Sequence, residues 1–261
     1  MMSIGGREEL TAQTMRLLLE RAAFPAGCTP TLFYCAPAAS SPPDVAGWRV
    51  VRQVLEIDIA ALPRRFSPRS VLPNPWLDLK RVLDSWTPDV DALFFEDDLS
   101  PCRNAARRML EHELPADAGL VSYFDLRNEW PRPGLWPAPV TRDLWGAQAL
   151  RFPGRVIRQL QELAARGTEL RAWDIWLGRT IRDELGLHVY HHSPSLVQHA
   201  DARSMYAPGS KRPQADNYPG DDFDALGEVP YPIVRGPSVV DVSGPWCNMH
   251  SIYHPSGAVC G

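Results

Sequence analysis

No stretch of the chain reaches the roughly 18 apolar residues that a membrane-spanning helix needs, so no transmembrane segment is expected. The opening MMSIGGREEL has no basic start followed by an apolar core, so no secretory signal of the ordinary form is expected. Cysteine is scarce and scattered: Cys28, Cys35, Cys102, Cys247 and Cys260 form no CxxC spacing. An odd, dispersed set favours free thiols in a reducing compartment over a disulfide framework, and a cytoplasmic location is expected. Basic charge is not concentrated either. The 27 Lys and Arg are spread among 31 Asp and Glu, without the basic stripe of a general nucleic-acid binder, so no nucleic-acid partner is expected. The chain has no internal repeat.

What is present suits a large globular domain. Hydrophobic residues make up 44% of 261, enough for a sizeable core. The 26 prolines fall in clusters and imply fixed loops between elements. EELTAQTMRLLLERAAF reads as a helix with Leu10, Met15, Leu18, Leu19 and Ala22 on one face. TPTLFYCAP reads as a buried strand, and WRVVRQVLEI fits either a helix or a strand. PWLDLKRVLDSW, CRNAARRMLEHEL, GRVIRQLQELAARG and WDIWLGRTIRDELG read as helices, and DALFFEDD and AGLVSYFD as strands. LHVYHHSPSLVQHAD begins as a strand and ends in a loop. Strands alternate with helices from 31 to 192, which predicts an α/β sandwich with a mostly parallel sheet. Residues 1–206 form the expected domain. Residues 207–261, rich in Pro, Gly and Asp, read as a tail with little regular structure.

Three features carry chemistry. In LFFEDDLSPC, an apolar strand runs into Glu96, Asp97 and Asp98. Ligands of open α/β sheets gather beyond the carboxyl ends of strands, and a turn there can bring Glu96 and Asp98 to one side. Two converging carboxylates suit a hard divalent ion that also takes phosphate oxygens; the alternative is a solvated turn with Asp98 capping the next helix. His199, in SPSLVQHADARS, lies about 100 residues on, and imidazole is a normal ligand for such ions; a single histidine is otherwise a core or surface residue. Asp174 heads the helix of WDIWLG, where the dipole should keep it ionised; it is also placed to be an N-cap.

Taken in order, these segments resemble the GT-A class of nucleotide-sugar glycosyltransferases over roughly residues 5 to 206. FFEDDLSP resembles the DxD-like acid motif in its EDD form, LWGAQALRF an acceptor-side segment, and Asp174 in WDIWLG the helix-borne acid of inverting members. PSLVQHADARS is similar to the P-x-L-x-Q-H-x-G-x-x-S segment of the N-acetylglucosaminyltransferase-IV family and related bacterial enzymes, with Ala200 or Asp201 near the position of its glycine. The resemblance implies a GT-A α/β/α sandwich. It implies a nucleotide-diphosphate sugar donor, a glycan or other hydroxyl acceptor, and hexosyl or N-acetylhexosaminyl transfer. It implies Mn²⁺ or Mg²⁺ held by Asp98 and His199, donor contacts from Glu96, Asp97 and Asp98, and Asp174 as base. Trp145, Gln148 and Trp173 are the candidates for acceptor binding. A retaining transfer would not need Asp174 in that role, so both stereochemical outcomes stay open, with inversion preferred. The first strand of that fold has no room before the helix, so it is expected to be missing. That expectation motivates a second reading, a non-catalytic relative that binds sugar or a partner protein. A third, a zinc hydrolase, rests on the density of His188, His191, His192 and His199.

Overall fold

The computed structural model describes residues 1–4, 7–37, 39–55, 75–125, 133–139, 144, 146–166, 173–200 and 214–227. The fold is mixed α/β. Strand β1 (Met2–Ile4) leads to helix α1 (Glu8–Arg21), then β2 (Thr31–Pro37), β3 (Arg49–Leu55) and α2 (Pro75–Asp84). Next come β4 (Ala92–Phe95), β5 (Leu99–Pro101), α3 (Ala105–Glu111), β6 (Ala118–Ser122), β7 (Gly134–Pro137) and β8 (Ala149–Phe152). The chain continues through α4 (Gly154–Arg166) and α5 (Trp173–Arg179), which runs into a π-helical turn over Thr180–Glu184, and then β9 (His188–Ser193) and β10 (Val197–His199).

One sheet, β1-β2-β3, is wholly parallel. A second has the order β4-β8-β6-β9-β7 and is mixed: β6 and β9 are parallel, while β8 and β7 run against their neighbours. The mostly parallel arrangement that was expected is carried by the whole first sheet and by the β6–β9 pair of the mixed second sheet. A first strand is present, correcting the expectation that it is missing. Met2, Ser3 and Ile4 pair with Phe33, Tyr34 and Cys35, and the terminal amino group donates to the Thr31 carbonyl at 2.9 Å. Three residues carry too little periodicity to be read as a strand, but they complete a parallel ladder whose other members are β-rich. Within the ambiguous WRVVRQVLEI, Arg49–Leu55 form β3, as the β-branched residues allow.

Strand alternation divides the core. Phe95, Val121, Ala149 and Tyr190 pack with Met15 and Leu18 of α1 and Ala106 and Met109 of α3. Phe94, Leu120, Leu150, Phe152 and Val189 face the other way, onto Leu79 and Leu83 of α2, Ile157 and Leu160 of α4, and Leu177 of α5. Each fully buried Leu, Ile or Phe contributes about 1.5–3 kcal/mol, so this double-sided burial sets the layers. Directions follow from it. The carboxyl ends of β4, β6 and β9 and the amino end of β8 lie along one edge.

Among the described residues of the C-terminal segment, 214–227 form turns and one isolated bridge, Arg103 with Asp224. They nevertheless lie on the domain, with Ala215, Asn217 and Ala225 buried.

Two histidines are folded neutral. The buried His192 ring stacks on Tyr123 and meets His112 edge-on. Its Nδ1–H donates to the Pro194 carbonyl at 2.6 Å. Burial pushes His192 down to about 3, against the pull of that bond and helped by His112 and Arg108. Burial, with Arg108 and Arg151, pushes His112 down to about 4. Both folded values lie below the ordinary 6.5, so stability is full above that pH and declines as pH falls through the folded values. From pH 6.5 to 4 these two rings lower the urea midpoint, against the opposite effect of the buried carboxyls Asp97 and Asp174, which burial raises to about 6. His192→Phe, which keeps the stack and removes a titrating ring, is expected to remove its part of that lowering; an unchanged pH dependence would mean that His192 is not held neutral.

Candidate metal centre

The site is built at the end of β4. Phe94 and Phe95 lock the strand between the two core layers. Glu96 extends the ladder, its N–H donating to the Gln148 carbonyl at 3.0 Å. Asp97 and Asp98 are both buried, so the triplet is not a solvated turn. The acids then diverge. Asp97 turns toward the N-terminal segment, where Ser3 Oγ donates to it at 2.5 Å and Thr11 Oγ1 at 3.2 Å. Arg7 bridges the pair, with Nη1 3.1 Å from Asp97 Oδ1 and Nη2 2.6 Å from Asp98 Oδ2. Burial raises Asp97 to about 6, opposed by Arg7 and reinforced by Asp98.

The β5–β10 ladder brings in the histidine. His199 pairs with Leu99, and the Ala200 N–H donates to the Asp98 carbonyl at 2.8 Å. The segment read as a loop after HVYHHS thus contains a strand. The His199 ring packs edge-on against Phe124 at 5.0 Å, and its Nε2 stands 3.7 Å from Glu96 Oε2. Ligand-type atoms of Glu96, Asp98 and His199 all lie within 4.8 Å of one another. Donors about 2.1 Å from a shared ion are at most about 4.2 Å apart, so a shift well under an ångström closes the triangle. The three residues fit a divalent ion. When all three acids are ionised, they face one guanidinium, which leaves net negative charge for a cation to neutralise.

Gln148 and Asp174 adjoin this triangle. The Gln148 amide donates from Nε2 to Glu96 Oε2 at 3.3 Å. It lies directly on Gly146, where φ is +76° and a Cβ would come within 2.3 Å of Gln148 Oε1. Glycine is required there both for the backbone angle and for the close approach. The Gly146 N–H donates to Asp174 Oδ2 at 3.1 Å, and the Ile175 N–H donates to Oδ1 at 2.9 Å. Asp174 therefore holds a turn as well as a helix start. Its titration corrects the expectation of a low value. Burial raises it to about 6, with Glu96 adding to the rise and the two backbone N–H groups opposing it.

The structure thus groups Glu96, Asp98 and His199, with Gln148 and Asp174 alongside, and points Asp97 elsewhere. Trp173 meets Phe94 edge-on at 5.1 Å and packs into the core beside α2 and α4, an arrangement that serves packing. Trp145 lies outside the described residues. Arg7 was not foreseen. The signal available was the acid triplet itself, which demands a buried cation, together with an arginine opening the first helix. Among the described residues, the histidine-rich strand assembles no zinc site. His188 neighbours Asp117 at 3.8 Å, His191 neighbours Asp125 at 3.9 Å, and His192 faces Tyr123. Among the described residues, Glu96, Asp98 and His199 are the one such cluster of three or more. Also among the described residues, no helix is long and apolar enough to cross a membrane.

No known protein-family model matches the chain, and no curated protein does. Among solved structures the chain is similar to the galactosyltransferase LgtC, determined in complex with donor and acceptor sugar analogs. The identity is 11% and the TM-score 0.40, over 77% of this chain and 86% of that one.

Proposed function

We propose that the chain is a metal-dependent glycosyltransferase, moving a sugar from a nucleotide-diphosphate donor to an acceptor hydroxyl with inversion. The observation that carries this reading is the meeting of Glu96, Asp98 and His199 at the ligand edge of the sheet, from segments about 100 residues apart. The four ordered motifs supply the reaction class and favour a hexosyl or N-acetylhexosaminyl donor. Two carboxylates and one imidazole suit Mn²⁺ or Mg²⁺. Bound there, such an ion supplies a Lewis acid where negative charge grows on the leaving diphosphate.

Asp98 and His199 would hold the ion, with Glu96 completing the set or meeting the donor ribose. Gln148 orients Glu96 through its amide. Asp97, assigned above to donor contact, instead anchors Ser3, Thr11 and Arg7, and its part is to support the turn. Asp174 is the base. As the acceptor oxygen attacks the anomeric carbon, its proton passes to the Asp174 carboxylate. The bond from that carbon to the diphosphate oxygen breaks, and its electron pair leaves with the diphosphate. Both Asp174 oxygens accept one backbone N–H, and each keeps a further lone pair. A value near 6 suits a general base better than an ordinary carboxylate value does. The non-catalytic reading loses its motive, since the first strand is formed.

Asp98 has no exposed surface and pairs with Arg7, so its removal carries a cost to the fold. Asp98→Ala is expected to lower stability by up to about 3 kcal/mol, because it leaves the buried Arg7 guanidinium with one of its two carboxylates. Asp98→Asn keeps the shape and is the better probe. Calorimetric titration should show loss of Mn²⁺ binding and of Mn²⁺-dependent nucleotide-sugar binding, with no turnover. Retained turnover in Asp98→Asn would reject the assignment.

For Asp174, sugar transfer is expected to fall tenfold per pH unit below the carboxyl's own value, about 6 without an ion beside Glu96 and lower with one, because the base must be ionised. Asp174→Asn should lower turnover on the order of 10²-fold or more, remove that acid limb and leave donor affinity nearly unchanged. A helix cap alone predicts normal turnover in Asp174→Asn and a stability loss of roughly 1 kcal/mol in Asp174→Ala.

A further inference from the structure

The ladder that presents His199 is only three residues on each strand, and a bare two-stranded pairing of that length is marginal in water. Residue pairs directly opposite share a face. His199 and Leu99 therefore point one way, and Gln198 and Ser100 the other. On that second face lies 214–227. Gln198 forms a paired amide contact with the backbone of Ala215, Nε2 donating to its carbonyl at 3.0 Å and Oε1 accepting its N–H at 2.9 Å. Gln198 Oε1 also accepts the N–H of His199 itself at 3.1 Å. Ser100 Oγ donates to Asp221 at 2.9 Å. Asp221 is further fixed by an ion pair with Arg21 and by the Tyr218 hydroxyl at 2.7 Å. Asn217 Oδ1 accepts the Ser195 hydroxyl at 2.7 Å. Beyond the ladder, Asp224 accepts from Asn104 at 2.8 Å, and the Arg103 N–H donates to the Phe223 carbonyl at 2.9 Å.

We infer that residues 214–227 are a positioning strap for the metal centre, gripping Gln198 and Ser100 so that the opposite face of the same ladder holds His199 against Asp98 and Glu96. The inference rests on the reading of that triangle as a metal site. A segment that only tidied the surface would not converge on the one register pair behind the histidine. The strap touches the far side of the ladder at both strands, and it is tied through Asp221 to the last turn of α1 and through Asp224 to Asn104, the residue before α3. The fixed quantity is the position of β10 relative to β5, hence the separation of the imidazole from the carboxylates. Gln198 acts twice, once on the strap and once on the backbone of the ligand residue.

The test uses the full chain, Gln198→Met and Asp221→Asn, both studied where circular dichroism shows them folded. Mn²⁺ affinity is read from the paramagnetic resonance of free Mn²⁺, and local opening from amide exchange at Ala200 against Leu120. Removing a group that orients a ligand typically weakens metal binding 10- to 100-fold. That range is expected for Gln198→Met and a several-fold loss for Asp221→Asn. Exchange should speed up at Ala200 and not at Leu120. Wild-type protein that binds Mn²⁺, with both variants binding within twofold of it, overturns the strap alone. Wild-type protein that binds no Mn²⁺ overturns the metal reading and the strap's role with it. If Gln198→Met does not fold, Asp221→Asn decides: unchanged affinity there rejects the proposal.

Discussion

The guanidinium of Arg7 lies between Asp97 and Asp98 in a space nearly closed to water, and the acid turn cannot be built without it. Taking a carboxylate out of water costs several kcal/mol, and two neighbours repel one another besides. A planar fork that reaches both acids offsets much of that cost and fixes their relative orientation. Arg7 is held in turn by the start of α1, and β1 sets the start of α1 by pairing with β2. Ser3 and Thr11, from the strand and the helix, close the remaining positions on Asp97. The short first strand, the first helix and the turn after β4 are therefore one electrostatic unit. Asp98 belongs to this unit and to the triangle with Glu96 and His199. A carboxylate has about four acceptor positions, so it can serve a guanidinium and a metal ion together.

Much of the site was legible because it follows from local pattern. An apolar run ending in acids places those acids at a strand end, and the strand-end position alone predicts a ligand edge. The clear 3.6-residue faces of α2 and α4 gave the layer on that side of the sheet, and Leu79, Leu83, Ile157 and Leu160 are buried as their spacing requires. What was not legible depends on partners distant in the chain. Met2–Ile4 is a strand only because Phe33–Cys35 are there to pair with it. Val197–His199 is a strand only against Leu99–Pro101. Residues 214–227 have no periodicity to read, since their order comes from Gln198, Ser195, Ser100 and Asn104 and not from a face of their own.

The same dependence explains the tryptophans. Trp173 was a candidate for acceptor binding, yet it is engaged edge-on with Phe94. An indole at the first position of a helix that packs on a sheet meets that sheet first. Composition reports that aromatic area is present, and only packing decides whether the area is spent on the core or left for a ligand.

Asp174 shows how magnitudes decide between two local effects. Its place in the first turn of α5 predicts a lowered value, but a helix terminus is worth about 0.3–1 kcal/mol, under one pKa unit. The helix is seven residues long, so its dipole is at the weak end. Against it stand burial and the nearby Glu96 carboxylate, which together carry Asp174 up to about 6. The two backbone N–H groups that it accepts limit the rise and orient its oxygens. Because one of them belongs to Gly146, and Gly146 supports Gln148, which donates to Glu96, Asp174 and the Glu96–Asp98–His199 triangle are joined by a short chain of contacts. Negative charge on Glu96 raises Asp174. A cation that neutralised Glu96 would relieve that push, so an ion bound at the triangle would lower the Asp174 value and keep more of it ionised near neutral pH. On the proposed reading, one binding event would ready both the base and the leaving group.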